Sequence, residues 1–521
     1  MIINIFSAKC LGIEAEQVTV EVDITKGIGV HLVGLADVAV KESLLRTMNA
    51  LQSIGMHIPG KKIVINLAPA DIHKQGSGYD LPIALGIIAA SGQSALPDID
   101  KYVVMGELGL DASLRPVRGA LPIAEFAYKR GFKGCILPLE SALEAVDYRK
   151  TKVYGASSLT EVLCILSGNE DSDSFLIWNR EEYVRCNRTI GQSDNAISYD
   201  FMDFSEIVGQ EGAKRGLEIA ASGGHNVLMI GTPGSGKSSL AKALAGILPE
   251  MEDEEAFVTS KIYSISGLRL NGCGMIKRRP FRSPHYSASM AAMIGGGSSG
   301  NIMPGEVTLA HNGVLFCDEF AHIAGSVAEA LRAPLEDRKV VVSRLKAKVE
   351  FPASFMFVAA SNPCPCGYYG ENRRCSCTVG QRHSYLAKLS GPIMDRIDVQ
   401  LWLHPVEASK LVCQPIAETS AEIAKRVLRV RKIQTERFAK DGIFTNADMS
   451  GRLIKKYCYL SPECRDLMHN LIDNMGLSAR AYSRVILLSR TIADMEGRVE
   501  IEPKHLMEAA GYRFLDKEEL F

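Results

Sequence analysis

The spacing of apolar residues divides the chain into three blocks. In residues 1–165, helical stretches alternate with short β-type runs, namely VTVEVDI, KIVINLA, YVVMGELG and GCILP. Residues 203–405 repeat this mixture, with the strand-like runs NVLMI, GVLFC and FMFVAA. In residues 406–521 apolar positions recur roughly every 3.6 residues, as expected of helices. The pattern predicts two mixed α/β blocks and a helical C-terminal block, with a polar linker over residues 166–202.

The overall composition is that of a globular protein. Of the 521 residues, 46% are hydrophobic and 23% are charged, and the formal net charge is −1. This balance excludes a disordered chain and leaves any nucleic-acid binding to local basic patches. The N-terminal segment lacks the apolar core of a signal peptide, and the apolar runs are shorter than the roughly 18 residues of a membrane span. The sequence therefore predicts a cytoplasmic protein with reduced thiols and no membrane partner.

A glycine-rich motif lies between a strand-like and a helix-like run. The motif GTPGSGKS follows NVLMI and opens SSLAKALAGIL, which is the strand–loop–helix context of a phosphate-binding loop. Glycines let backbone N–H groups wrap phosphate oxygens, the lysine reaches the β and γ phosphates, and the serine hydroxyl can bind Mg²⁺. The candidate nucleotide-binding residues are Gly231, Thr232, Pro233, Gly234, Ser235, Gly236, Lys237, Ser238 and Ser239. The alternative is a plain glycine turn before a helix, which this context disfavours.

Two strand ends downstream carry candidate catalytic groups. GVLFCDEF ends a strand in Asp318 and Glu319, which suits Asp318 to hold Mg²⁺ and Glu319 to orient and deprotonate the attacking water. Alone, this pair would fit a charged helix start, but the upstream phosphate loop favours the catalytic interpretation. FMFVAASN delivers Asn362, a neutral hydrogen-bonding group able to position the water or contact the γ phosphate.

Two arginine positions further on are candidates for contacting phosphate. SGPIMDRID places Arg396 among turn-like residues, where its guanidinium could meet the γ phosphate of a neighbouring subunit. LSARAYSR places Arg480 and Arg484 four residues apart on one helix face, from which either could reach phosphate as part of a lid. Solvated surface arginines are the alternative in both cases.

Four cysteines cluster in CPCGYYGENRRCSC, shortly after Asn362. Cys364, Cys366, Cys375 and Cys377 are sufficient for a closed, tetrahedral Zn²⁺ site. Clustered cysteines in a reducing compartment favour a metal over disulfides, although the Cys-x-Cys spacing is tighter than the usual Cys-x-x-Cys. The sequence predicts a structural zinc ion, with free thiols and an iron–sulfur cluster as alternatives.

The order of these elements resembles that of an AAA+ ATPase: Walker A, Walker B, sensor 1, arginine finger and a helical lid with a sensor 2 arginine. The segments RPFRSPHYSASMAAMIGGGSSGNIMPGEVTLAHNGVLFCDEF, NPCPCGYYG and SGPIMDRIDVQLWL are similar to the magnesium-chelatase-like branch. Over nearly all of its length the chain resembles the YifB/ComM family. The family roles fall on Lys237, Ser238, Asp318, Glu319, Asn362, Arg396 and Arg480.

This resemblance implies a function. It implies ATP and Mg²⁺ as cofactors, a hexameric ring, and an arginine finger that acts in trans on the neighbouring subunit. The activity it implies is that of a DNA helicase that drives branch migration during natural transformation, on single-stranded or branched DNA.

A ring helicase needs basic loops that face its pore, and the chain contains two candidates. EDRKVVVSRLKAKVEFP is predicted to form a hairpin at the place where related ring helicases grip the phosphate backbone. A solvated pair of strands is the alternative. The second candidate is the glycine-rich segment MIGGGSSGNIMPGE. The candidate DNA-binding residues of the hairpin are Arg338, Lys339, Arg344, Lys346 and Lys348.

The N-terminal block resembles the α+β domain of Lon proteases, most clearly over residues 106–138. The catalytic serine of Lon would fall on Gly78, with Ser77 next to it. Its catalytic lysine would fall near Leu121 to Ile123, where this chain has no lysine. A serine without its general base is a poor nucleophile, so we predict no peptidase activity and expect a role in ring assembly or DNA binding.

The expected fold is a P-loop AAA+ core over residues 203–405, with a four-cysteine insert over 364–377 and a helical lid over 406–521, preceded by a Lon-like α+β domain over 1–165. Two other functions share these motifs. A chelatase-type remodelling ATPase would use the same core with partner subunits to insert metal into a tetrapyrrole, and a Lon-like protease would use the N-terminal block. The Lon-like domain, the cysteine cluster and the basic hairpin favour the DNA motor.

Overall fold

The computed structural model describes most of the chain. The described residues are 2–34, 38–70, 74, 76–167, 170–183, 201–268, 273–297, 302–344, 347–370, 374–389, 393–405 and 417–516. Lys346, residues 184–200 of the predicted linker and residues 406–416 of the predicted helical block lie outside them. Within the described part, no helix combines the length and the apolar character needed to cross a membrane.

A seven-stranded mixed sheet forms the N-terminal block. Strands along this block are β1 (Ile3–Leu11), β2 (Glu14–Thr25), β3 (Val30–Val33), β4 (Lys62–Ala68), β5 (Tyr102–Val104), β6 (Glu107–Leu108), β7 (Leu114–Arg115), β8 (Gly134–Pro138) and β9 (Lys152–Ala156). The sheet order is β3-β4-β2-β1-β5-β8-β9, and β6 with β7 forms a separate ribbon. The helices are α1 (Val38–Ser53), α2 (Asp80–Ser91), α3 (Ala120–Lys129), α4 (Leu139–Ala142) and α5 (Leu159–Leu166).

Alternating apolar residues explain why the predicted strands of this block form. In β4, for example, Ile63, Ile65 and Leu67 are fully buried on one face, as the period of two requires. The sequence pattern missed β1, because Ser7 and Ala8 interrupt its apolar alternation. Both are nevertheless fully buried, since β1 lies in the middle of the sheet between β2 and β5.

Part of the predicted linker packs against the N-terminal block. Leu176 and Ile177 are buried, and the indole Nε1 of Trp178 donates to the carbonyl of Val146 at 2.8 Å. Within this polar, aperiodic sequence, residues 176–178 therefore form a short apolar segment that packs against the N-terminal block.

Five parallel strands form the sheet of the second block. Strands here are β10 (Val227–Gly231), β11 (Phe281–Arg282), β12 (Gly295–Gly296), β13 (Met303–Pro304), β14 (Val314–Cys317), β15 (Lys339–Arg344), β16 (Ala347–Pro352), β17 (Met356–Ser361) and β18 (Val399–Leu403). The sheet order is β11-β14-β17-β10-β18, while β12–β13 and β15–β16 are antiparallel ribbons. The helices are α6 (Glu211–Gly223), α7 (Lys237–Gly246), α8 (Asp253–Ser266), α9 (Met290–Ile294), α10 (Glu306–Leu309), α11 (Gly325–Ala330), α12 (Arg332–Asp337) and α13 (Val379–Leu386). This mixed α/β fold around a parallel sheet is consistent with the predicted P-loop core.

The side chain of Asn226 sets the register of the central strand. Asn226 precedes β10 and is buried. Its amide nitrogen donates to the carbonyl of Arg396 at 2.8 Å, and its amide oxygen accepts the N–H of Phe357 at 2.9 Å. Its backbone N–H donates to the Asp398 carboxylate at 2.9 Å. One buried residue therefore ties β10 to β17 on one side and to β18 on the other.

The described residues of the C-terminal block, 417–516, form five helices. They are α14 (Ser420–Phe438), α15 (Gly451–Tyr457), α16 (Pro462–Met475), α17 (Ala479–Met495) and α18 (Pro503–Gly511). Helices α14 and α17, both predicted from their periodicity, pack against α6, and their apolar core is continuous with that of the sheet. Buried hydrogen bonds run from His225 through Thr491 and Asn446 to Asp494, at 2.7, 3.1 and 2.9 Å. Polar and apolar contacts together hold this block against the second one.

The N-terminal block contacts the second block through α3 and α8. Lys261 of α8 is buried, and its ammonium donates to Glu125 of α3 at 2.6 Å and to Glu14 at 2.9 Å. Ser264 donates to the buried Glu144 at 2.5 Å. Charged groups at this boundary are therefore paired with partners from the other block.

Removal of the Lys261 ammonium should destabilise the protein. In Lys261→Met the Glu125 side chain, which is 11% exposed, loses its buried partner, and breaking such a pair costs about 3 kcal/mol. Lys129→Met is the matched control: Lys129 bonds the same carboxylate at 2.7 Å but is 56% exposed, so its loss should cost below about 1 kcal/mol. Urea unfolding measures both free energies. Equal losses would contradict the assignment of a buried pair.

Candidate active site and metal centre

Neighbouring parallel strands deliver the predicted catalytic groups to one edge of the sheet. The phosphate loop follows β10, Asp318 follows β14, and Asn362 follows β17. These three strands are adjacent in the order β14-β17-β10, and the carboxyl ends of parallel strands meet at the same edge. The residues therefore lie together although they are far apart in sequence.

The phosphate loop leads into a helix whose first N–H groups can bind an anion. Gly234 and Gly236 have φ angles of +80° and +88°, a conformation that glycine adopts without strain. Helix α7 begins at Lys237, and no side chain caps its first turn. Because the first N–H groups of a helix have no partner within the helix, they can bind phosphate oxygens.

Lys237 is held by oxygen atoms alone. Its Nζ donates to the carbonyls of Gly231 at 2.8 Å and Thr232 at 2.9 Å, and to Oδ1 of Asn362 at 3.3 Å. Burial lowers the pKa of this ammonium from its usual value, although Asp318 and Glu319 oppose the shift. Charged phosphate oxygens are stronger acceptors than these neutral groups, so the position fits a nucleoside triphosphate.

Ser238, Asp318 and Glu319 form the acidic side of the site. Ser238 Oγ donates to Oδ2 of Asp318 at 2.8 Å, and the Glu319 N–H donates to Oδ1 of Asp318 at 2.8 Å. Two oxygen ligands at one point suit Mg²⁺. Glu319 is exposed and has a φ of +49°, an uncommon conformation for this residue type that occurs at functional sites.

Arg396 and Arg480 lie at the opposite edge of the sheet. Arg396 precedes β18, which pairs with β10 in parallel from Val227 to Gly231, whereas the phosphate loop follows β10. Five strand residues separate these edges by about 16 Å. Arg480 contacts Asp395 at 3.5 Å, and both arginines contact Glu336.

Arg480 therefore does not reach the phosphate loop of its own chain as a lid would. The physical reason is the packing of α17 against α6, which places the start of α17 beside the residues preceding β18. Arg396 is 5% exposed, and its guanidinium holds the pKa of the Glu336 carboxyl below its usual value. Both arginines line a cleft of about 830 Å³ between the second and the C-terminal blocks, together with Arg338 and Arg484.

A cavity beside the phosphate loop escaped the sequence analysis. It measures about 510 Å³, and Gln210, Trp402, His404 and Tyr512 are among its lining residues. The Gln210 amide donates to the carbonyls of Ser235 at 3.4 Å and His404 at 2.6 Å, which joins the cavity to the loop. Aromatic rings give it stacking surfaces for a nucleobase. These residues come from segments that are far apart in the sequence, so no local motif predicts the cavity.

The four clustered cysteines converge as predicted. Sulfur–sulfur distances are 3.4 Å for Cys364–Cys366, 3.8 Å for Cys364–Cys375 and 3.6 Å for Cys366–Cys375. All four sulfurs, including that of Cys377, lie within 4.8 Å of one another. A tetrahedron with Zn–S bonds of about 2.3 Å has edges of about 3.8 Å, so the spacing is compatible with zinc.

The predicted basic hairpin is confirmed as the ribbon of β15 and β16. Its inner face buries Val340, Val342, Val349 and Phe351, while Lys339 and Lys348 are exposed on the other face. Lys339 pairs with Glu350 at 3.2 Å, which partly offsets the positive charge. Nothing is described of the Arg344 side chain, and Lys346 lies outside the described residues.

Arg338 does not belong to this hairpin. It ends α12 with a φ of +56° and turns away from the ribbon, because its guanidinium bonds the carbonyl of Phe355 at 3.1 Å and the carboxylate of Asp448 at 3.0 Å. The expected place of Arg338 on the hairpin is therefore corrected: it precedes the ribbon and joins the second block to the C-terminal one.

The N-terminal block has Gly78 where the catalytic serine of Lon would fall, with Ser77 beside it. Ser77 Oγ donates to the Glu107 carboxylate, and a Cβ at Gly78 would lie 2.5 Å from Met105 Cε. Leu121 and Ile123, at the position of the catalytic lysine of Lon, are buried in α3.

Comparisons with known proteins cover almost the whole chain. It is 40% identical over 513 residues to the protein named YifB of Salmonella typhimurium. That alignment covers 97% of this chain and 96% of the relative. It is 40% identical over 512 residues to the Competence protein ComM of Haemophilus influenzae. That alignment covers 98% of this chain and 97% of the relative. The chain belongs to the YifB/ComM family.

Family profiles add the chelatase relationship. The profile described as Magnesium chelatase, subunit ChlI, matches residues 203–411, that of Subunit ChlI of Mg-chelatase matches 20–141, and that of Magnesium chelatase, subunit ChlI C-terminal, matches 417–513. The Archaeal Lon protease of Archaeoglobus fulgidus is 43% identical over 53 residues, which is 10% of this chain and 8% of that protein. The YifB/ComM family is thus a family of AAA+-like ATPases, and the phosphate-loop geometry agrees with it.

Loss of the Arg484 charge should make the protein more sensitive to acid. Burial would raise the pKa of Asp398, but Arg484, His225 and the Asn226 N–H reverse this and lower it to about 2. The carboxyl group of an aspartate in an unfolded chain has a pKa of about 3.9. The carboxylate therefore stabilises the fold above about pH 4, and this stability is lost as the pH falls towards 2.

In Arg484→Gln the native pKa of Asp398 rises, so stability should be lost at a higher pH. At neutral pH we expect a loss of about 2 kcal/mol, below the usual cost of breaking a buried pair because Arg484 is 23% exposed. The measurement is the free energy of urea unfolding as a function of pH. Arg480→Gln is the control, since Arg480 is 55% exposed and should change stability by less than about 1 kcal/mol. An unshifted acid transition in Arg484→Gln would refute the assignment.

Proposed function

We propose that this protein is an ATP-driven motor that assembles as a homohexameric ring and acts on DNA. The division of the catalytic groups between opposite edges of one sheet carries the proposal. Lys237, Asp318 and Asn362 lie at one edge, and Arg396 and Arg480 at the other. Only a second copy can bring the arginines of one chain to the phosphate loop of the next, and repeating that contact closes a ring.

Each of these side chains has one task in the proposed ATPase site between two copies. Lys237 and the N–H groups of the loop bind the β and γ phosphates of ATP, while Ser238 and Asp318 hold Mg²⁺. Glu319 takes the proton of the attacking water, and Asn362 orients that water. From the neighbouring copy, Arg396 and Arg480 stabilise the charge that develops on the transferred phosphoryl group, a contribution worth at least about 10³-fold in kcat for such arginines.

Two inactive variants should restore ATP hydrolysis when they are mixed. Lys237→Ala removes phosphate binding and Arg396→Ala removes the guanidinium supplied in trans, so each variant alone should be inactive. In an equimolar mixed ring about a quarter of the interfaces combine an intact loop with an intact arginine. ATPase activity of the mixture measures the effect.

Lys237→Ala mixed with Glu319→Gln is the matched control. Both groups lie at the same edge of one sheet, so no interface of that mixture contains a complete site. We expect no recovery there. Absence of recovery in the first mixture, or equal recovery in both, would show that the site is complete within one chain.

Support for DNA as the substrate comes from the hairpin and from a relative. The exposed face of the β15–β16 ribbon carries Lys339 and Lys348, and cationic side chains on such a ribbon bind phosphates without regard to sequence. The Haemophilus influenzae relative is named a competence protein. Both favour a motor that moves DNA branches during recombination, as in natural transformation.

DNA should stimulate ATP hydrolysis, and ATP should drive strand displacement on a homologous three-strand junction. Lys348→Ala should retain basal ATPase activity, weaken DNA binding and lower the salt dependence of log K by about 0.7 to 0.9, the value of one phosphate contact. Lys440→Ala, which removes an exposed lysine beyond α14, is the control and should change neither quantity. Wild-type protein without DNA-stimulated hydrolysis and strand displacement would refute the motor.

A chelatase-type remodelling ATPase is the second candidate, favoured by the three profiles named after subunit ChlI. It would hydrolyse ATP without stimulation by DNA and would require partner subunits. A Lon-like protease is disfavoured because aliphatic side chains stand where Lon has its lysine.

We further propose that the four cysteines bind a structural Zn²⁺. Four thiolates leave no open position for a reacting water, so this ion does not take part in hydrolysis. The support for this proposal is the convergence of the four sulfurs, which all lie within 4.8 Å of one another.

A further inference from the structure

The described residues of the segment between β17 and α13, here called the cysteine loop (residues 362–370 and 374–378), lie close to the phosphate loop. Gly367 has a φ of +85°, and a Cβ built on it would lie 3.0 Å from both Cγ and Cδ of Pro233. The turn from Cys364 to Gly367 is closed by a backbone hydrogen bond of 2.9 Å. Two of the four thiols, those of Cys364 and Cys366, therefore belong to a tight turn that approaches the phosphate loop closely.

The same loop contacts the wall of the cavity beside the phosphate loop. The rings of Tyr369 and Trp402 meet edge to face with centroids 6.4 Å apart, and the Arg382 guanidinium lies 4.2 Å from the Tyr369 centroid. Trp402 in turn packs against Phe514 with centroids 6.0 Å apart and lines the cavity. Tyr369 is thus held between a cation from α13 and the aromatic side of the cavity.

No helix or strand shapes the described part of this loop between Ser361 and Val379. Side-chain contacts therefore contribute to its order, and one of them is the cluster formed by its four sulfurs. The first cysteine follows Asn362 by two residues, and Asn362 bonds Lys237 at 3.3 Å. Folding the loop around one ion fixes the positions of Gly367 and Tyr369 together.

We propose that the metal-bound cysteine loop is a positioning element of the nucleotide site. Through its close approach to Pro233 and its ring contact with Trp402, it positions the phosphate loop relative to the wall of the cavity beside it. This inference rests on the nucleotide site and the zinc site of the proposed function. It adds that the ion controls the affinity for the nucleoside triphosphate as well as the local fold.

The test uses the full-length protein, a fluorescent ATP analogue and metal analysis by mass spectrometry. Wild-type protein should contain one zinc per chain. Cys375→Ser should lose the zinc and raise the Kd of the analogue about tenfold, as expected if about 1.4 kcal/mol of positioning is lost. Cys164→Ser, at an exposed cysteine of the N-terminal block, is the matched control and should change neither zinc content nor Kd.

A second pair of variants separates positioning from simple destabilisation. Tyr369→Ala should keep the zinc and the melting temperature but raise the Kd about threefold, because the ring contact with Trp402 is lost. Tyr369→Phe keeps the ring against Trp402 and Arg382 and should restore the wild-type Kd. This pair carries the test even where Cys375→Ser does not fold.

Three results would overturn the inference: wild-type protein free of metal, zinc-free Cys375→Ser with an unchanged Kd, or zinc-bound Tyr369→Ala with an unchanged Kd. None of these measurements contains DNA, so failure of the proposed DNA motor leaves them unaffected. Wild-type protein that binds no ATP analogue at all would refute the nucleotide site itself.

Discussion

The parallel register of β10 with its two neighbours is the constraint on which the rest of the structure depends. Asn226 bonds the backbone on both sides of β10, at Phe357 and Arg396. Because this register aligns the strands at one end, their carboxyl ends also lie side by side. Lys237, after β10, therefore bonds Asn362, after β17. The same register leaves Arg396 at the far edge. One buried amide thus helps to set which candidate residues lie at the phosphate-loop edge of the sheet and which lie at the opposite edge.

Buried polar contacts between the blocks extend this constraint through the chain. Asp398, at the start of β18, is paired with Arg484 of α17, and Lys261 of α8 is paired with Glu125 of α3. Such pairs cost free energy to desolvate, but each leaves an unpaired charge when its partner moves, so they hold the blocks in one arrangement. The C-terminal helices are in this way tied to the second block near the start of β18, and the N-terminal block is tied to it through α3 and α8.

The candidate site divides into parts that are local in sequence and parts that are not. The phosphate loop could be predicted because glycines, lysine and serine act within a few residues of one another, in a strand–loop–helix context. The cysteine cluster could be predicted for the same reason. Trp402 and Tyr512 could not, because they reach the cavity from separate segments. Arg338 looked like a hairpin residue, yet a left-handed turn at the end of α12 directs its side chain to Asp448.

By itself, the sequence determined the three blocks, the strands and helices with a clear apolar period, the phosphate loop, the candidate catalytic carboxylates and the thiol cluster. Each of these depends on the period of apolar residues or on groups that are neighbours in the chain. Only the tertiary structure decided that Arg480 lies beside Arg396 at the opposite edge of the sheet, that Lys261 joins two blocks, and that the cysteine loop lies close to Pro233. Those contacts follow from the register of parallel strands and the packing of helices, which bring together residues that no local pattern relates.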